Sequence, residues 1–90
     1  MEKKIIELEE RVDTLYTMLY SQRARSVNHI IMNNITDTEV ISEELEKLLD
    51  CIEDKRFYNQ FWKLIQYTET FDTYITAEFR RAEKVLTTGE

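Results

Sequence analysis

Proline is absent from the 90 residues and glycine occurs once, at Gly89. Tight β-hairpins draw on residues that tolerate positive φ, so the near absence of turn chemistry argues against a β-rich fold and for an all-α one. Cysteine is also single, Cys51, which excludes a disulfide framework and agrees with a reducing compartment. The one histidine, His29, has no second imidazole or thiol nearby to complete a zinc site. It has no triad pattern around it either, so Cys51 is read as a small apolar helix residue and no catalytic residue is assigned. No run of 18 apolar residues occurs, and MEKKIIELEER at the start is charged throughout. Neither a membrane span nor a signal peptide is therefore expected, and the protein is expected to be soluble and cytoplasmic.

Apolar residues make up 42% of the chain, enough for one small globular domain over residues 1–90. Net charge is −6 but unevenly spread. Residues 35–54 carry eight acids (Asp37, Glu39, Glu43, Glu44, Glu46, Asp50, Glu53, Asp54) against Lys47 alone. The flanking segments are nearly balanced, so general binding to nucleic acid or to an anionic membrane is disfavoured.

Helical periodicity divides the chain in three. Ile5, Leu8, Val12, Leu15 and Leu19 follow alternating 3,4 spacing, the mark of a seam that packs on another helix. That seam then drifts: its continuation would reach Gln22, Ser26 and His29, whereas the apolar residues move to Val27, Ile30 and Ile31. One long helix over about 2–34 is expected, weakened across 21–26. Asn33 and Asn34 suit its end, since short amides tolerate the left-handed conformation. Thr36 and Glu39 have capping-box spacing, with Ile35 and Val40 as a hydrophobic staple, which predicts a helix from Asp37 to about residue 53. Its apolar stripe is Ile41, Leu45, Leu48 and Ile52.

Asp54 can cap a third helix over 55–87, although nothing between 50 and 58 breaks a helix, and a continuous helix from 37 to 87 is the alternative. The segment 55–87 holds eight of the ten aromatic residues. Read as one helix it has an apolar arc of roughly 240°, far wider than the roughly 100° stripe of a surface helix. Tyr58, Trp62, Tyr67 and Tyr74 widen the arc, and self-association, most simply as a dimer, is expected to cover them.

The expected fold is an all-α bundle of two long antiparallel helices and a short acidic one, completed by a second subunit. Antiparallel register pairs positions whose numbers sum to about 90: Leu8 with Ala82, Leu15 with Ile75, Leu19 with Phe71, Val27 with Leu64. It also brings Arg23 within about one turn of Asp72, inside the apolar arc, as a register-setting ion pair.

Three functional readings follow. The first is a non-enzymatic adaptor, regulator or inhibitor whose acidic helix (Asp37, Glu39, Glu43, Glu44, Glu46, Asp50) engages a partner protein's basic surface, even as a mimic of nucleic-acid phosphates. A solvated outer face that keeps a small protein soluble is the simpler reading of the same acids. The second is an oligomer that sequesters a nucleotide-like anion, with Arg23 as the charged fork and Tyr16, Tyr20 and Tyr67 as stacking faces. The third is a Mg²⁺-dependent enzyme: Glu9, Glu10 and Asp13, and Glu69 with Asp72, form carboxylate groups like those on the helices of all-α nucleotide pyrophosphohydrolases. The repeated spacing and the lysine pattern of that family are missing, which ranks this reading last; no metal site and no cofactor are assigned.

Overall fold

The computed structural model describes residues 2–89, with the side chains of residues 12–89. These residues form four α-helices and no strand: α1 (Glu2–Met32), α2 (Thr38–Leu49), α3 (Lys55–Glu69) and α4 (Thr73–Thr88). The all-α expectation stands, but the third predicted helix is two helices.

Each boundary has a local cause. Asn34 takes the left-handed conformation at φ 52°, which turns the last carbonyls of α1 toward the following amides. Ile35 N–H donates to the Ile30 carbonyl at 3.0 Å and Asn34 N–H to that of Ile31 at 3.2 Å. This is the Schellman arrangement, and Ile30 and Ile35 both join the core beneath it. The next helix starts one residue later than the capping box predicts. Asp37, not Thr36, is the cap, and its carboxylate accepts from Glu39 N–H at 3.0 Å. An ionised carboxylate is the stronger acceptor for orphan helix amides, and Ile41, one turn further on, lies in the fully buried core.

Asp54 caps α3 as expected, accepting from Arg56 N–H at 2.9 Å. The chain between α2 and α3 winds through short-range bonds such as Ile52 N–H to Leu49 C=O at 3.2 Å, which keeps Ile52 in the core. The unforeseen break lies at residues 70–72. Thr68 and Thr70 hydroxyls donate back to the carbonyls of Leu64 and Tyr67, loosening the end of α3. Asp72 then restarts the helix, its Oδ1 accepting from both Tyr74 and Ile75 N–H at 3.1 Å. Gly89, at φ 74°, closes α4.

The two predicted long helices do not run antiparallel. Thr17 accepts from Arg56, Tyr20 from Gln60 and Asn28 from Lys63, and Tyr67 donates to the Ile35 carbonyl. Position numbers on the two segments rise together, so α1 and α3 are parallel. The reason is α2: it does not merely bridge two ends but runs back along α1, as the Arg23–Glu44 contact shows, and returns the chain to the level of Thr17. Helix α4 then reverses along α3, with Arg80 ion-paired to Glu69 and stacked 5.6 Å from the centre of the Trp62 ring.

Helix α3 is the hub, packing on all three others. It buries Phe57, Phe61, Leu64, Ile65 and Thr68, a narrow stripe in place of the broad arc inferred for one continuous helix. Val27, Ile30, Ile41, Leu45, Leu48 and Ile52 complete the core. The fold itself thus hides much of the apolar circumference assigned to a second subunit. Helix α1, about 46 Å long at 1.5 Å per residue, outruns the others. Thr17 is already level with the start of α3, and the backbone of residues 2–11 continues the helix beyond that point.

Candidate interaction surface

Two apolar stripes run along α1. Val27, Ile30 and, partly, Tyr20 and Ile31 pack into the body, and Tyr16 and Tyr20 meet the Phe57 ring edge-on at 6.4 and 6.0 Å. The 3,4 seam lies about a quarter turn away at 100° per residue. Its described members remain exposed: Val12 at 50%, Leu15 at 64% and Leu19 at 37%, with Met18 beside them. Ile5 and Leu8 continue the spacing, and their side chains lie outside the described residues, as does the proposed Leu8–Ala82 pairing. The drift in the α1 pattern is therefore a change of client. Residues 20–31 pack on the body, and residues 12–19 carry a second face, Val12, Leu15 and Leu19, that the described residues leave exposed.

Helix α2 separates its acids by angle. Glu39, Glu43, Glu46 and Asp50 recur at 4,3,4 spacing and form one exposed stripe, while Asp37 is spent on the cap. Glu44 is not part of it. It sits roughly 130° away around the helix, at the edge of the Ile41, Leu45 and Leu48 stripe, and is buried. Its two carboxylate oxygens accept from Arg23 Nη1 at 3.1 and 2.9 Å, with side chains 13% and 7% exposed. Arg23 is thus held by Glu44, not by Asp72, because α2 rather than the residue 72 region lies against that turn of α1. The guanidinium proposed for an anionic ligand already has a carboxylate on it. The angular position of Glu44 was the available signal.

The four aromatic residues expected to self-associate are placed differently from one another. Tyr58 and Trp62 are half-buried, edge-on at 6.2 Å, with Trp62 also against Phe61 at 5.6 Å. Tyr67 ties α3 to the α1–α2 turn through its hydroxyl, 2.7 Å from the Ile35 oxygen, and packs on Phe71. Tyr74, in the first turn of α4, is exposed. Arg80 pairs with Glu69.

An open cleft of about 740 Å³ lies between α1, the α2–α3 turn and the end of α4, with Val12, Asp13, Tyr16, Cys51, Arg56 and Leu86 on its walls. Arg56 is committed there to Asp54, Nη2 to Oδ2 at 2.9 Å and Nε to Oδ1 at 3.1 Å, and that hydrogen bonding holds the Asp54 carboxyl below its usual value. Burial, then the charges of Asp50 and Asp54, push the Cys51 thiol up. Among the described residues no three His, Cys, Asp or Glu side chains converge to hold a metal ion. Of the carboxylates grouped for Mg²⁺, Glu69 pairs with Arg80, Asp72 caps α4, and Glu9 and Glu10 are outside the described side chains. No described helix is long and apolar enough to cross a membrane.

No protein-family model, curated protein or solved structure matches this chain.

Proposed function

We propose that this protein is a small non-enzymatic cytoplasmic interaction module, self-associating, that acts as an adaptor, regulator or inhibitor of a protein bearing a basic surface. One observation carries the reading. The body closes its own core around α3, yet the Val12, Leu15 and Leu19 face of α1 stays uncovered, and exposed aliphatic side chains in a row mark interaction surfaces. The acidic stripe on α2 supports the choice of partner, because Glu39, Glu43, Glu46 and Asp50 point the same way on a rigid helix with only Lys47 to offset them. Complementary charge there favours fast, salt-sensitive association.

The test is site-specific photocrosslinking in the native cell from position 43 on α2, with position 59 on the exposed side of α3 as control. A protein with a basic surface captured from 43 and not from 59, and released as salt rises, is the expected result. Crosslinks only between copies of this chain, from both positions, would overturn the adaptor reading.

A further inference from the structure

We infer that residues 5–19 of α1 zip against the same residues of a second copy as a parallel, in-register two-stranded coiled coil. The inference rests on the self-association part of the reading above and is independent of the acidic stripe. Alternating 3,4 spacing sets the heptad: Ile5, Val12 and Leu19 fall at position a, Leu8 and Leu15 at position d. Two of the three a positions, Ile5 and Val12, are β-branched and both d positions are leucine, the combination that favours two parallel strands over higher orders. Flanking charge selects direction as well. Lys4 and Arg11 occupy g positions, Glu9 and Tyr16 e positions. A parallel pair sets Lys4 of one chain against Glu9 of the other and Arg11 against the Tyr16 ring, both favourable. The antiparallel register that pairs Ile5 with Leu15 would oppose Arg11 to Arg11 and Glu9 to Glu9, and the one that pairs Leu8 with Leu19 would leave Ile5 without a partner.

Two structural facts complete the case. The described seam positions Val12, Leu15 and Leu19 are apolar and exposed, whereas the next ones, Gln22, Ser26 and His29, are polar, so the apolar seam ends where α1 packs its other face on the body. The zipper is shorter than the three to four heptads that an autonomous coiled coil sustains. It need not be autonomous, because residues 20–32 of the same helix are anchored in the body, so the cost of helix nucleation is already met.

The experiment is sedimentation velocity on the full chain at tens of micromolar, together with disulfide trapping of single-cysteine variants in a Cys51→Ser background. Wild type is expected to be a dimer. Leu15→Lys is expected to weaken dimerisation about a hundredfold or more, since each copy loses a buried seam leucine, while its far-ultraviolet spectrum and unfolding midpoint at low concentration match those of the wild-type monomer. Ile5→Cys is expected to form a disulfide dimer on oxidation, and Glu10→Cys, at the outer f position, is not. A monomeric wild type, a dimer indifferent to Leu15→Lys, or a dimer that Ile5→Cys cannot trap would each overturn the inference, the last by showing antiparallel pairing. A monomer that still crosslinks a basic protein from position 43 would sink the zipper and leave the adaptor reading standing.

Discussion

Arg23 on α1 and Glu44 on α2 hold each other through one guanidinium nitrogen and both carboxylate oxygens, nearly out of solvent. The contact is the cross-brace of the first helical hairpin, ten residues before the turn at Asn33 and about as far after it. A buried ion pair adds little net stability over an apolar pair of the same shape, but removing one partner strands a charge.

Glu44→Ala should therefore destabilise the protein by about 3 kcal/mol, measured by urea denaturation. The paired replacement Arg23→Met with Glu44→Leu should restore most of that loss. If Glu44→Ala unfolds like wild type, the pair is not the brace described.

The cap at Asp72 predicts a local rather than a global effect. Asp72→Ala removes the acceptor for two amides, at a cost of about 1 kcal/mol, and the apolar hold on α4 is limited to half-buried Ile75, Phe79 and Ala82, beside its two buried polar residues and the exposed Arg80 contacts to Glu69 and Trp62. Trypsin cleavage at Arg80 and Arg81 should accelerate while amide exchange in α2 and α3 changes little. Asp72→Asn should behave like wild type. Uniform loss of protection across all helices would contradict this.

What the amino-acid pattern made legible was short-range. The left-handed Asn34, the Asp54 cap and the apolar stripe of α2 depend on neighbours within a turn, and they appear where expected. The break at 70–72 was legible too but missed: the Asp-Thr pair that opens α2 at residues 37–38 recurs at 72–73 and opens α4. Reading 55–87 as one cylinder turned two ordinary stripes into one improbable arc. Whether α3 runs parallel or antiparallel to α1 was not local information. Either direction matches apolar with apolar, and only the path of α2, fixed by the burial of Glu44 against Arg23, decides between them.

Cys51 offers a probe of the cleft. Its thiol is half-buried, and desolvation together with the carboxylates of Asp50 and Asp54 opposes formation of the thiolate. The thiolate is the nucleophile, so alkylation by iodoacetamide at pH 8 should be slower than that of a free cysteine. Asp50→Asn should speed it modestly by removing one like charge. A thiol that reacts at the free rate in the folded protein would mean that the turn between α2 and α3 does not shelter it.

Asp54 ties stability to pH in a direction that can be worked out. Its carboxyl lies below the ordinary aspartate value because Arg56 hydrogen-bonds the ionised form and the Arg56 amide caps onto it. A group whose folded value is depressed binds fewer protons folded than unfolded, so its contribution is fully present above the unfolded value of about 3.9 and disappears as pH falls through the folded one. Asp54→Asn keeps a cap oxygen but cannot titrate. The stability gap between wild type and Asp54→Asn should therefore be flat from neutral pH down to about 5 and close progressively below about 4. It should also narrow with added salt at neutral pH, because both side chains reach solvent. Urea titrations of the two proteins across that range provide the measurement. A gap that stayed constant into strong acid would show that Asp54 acts only through its cap geometry and that its pairing with Arg56 contributes nothing.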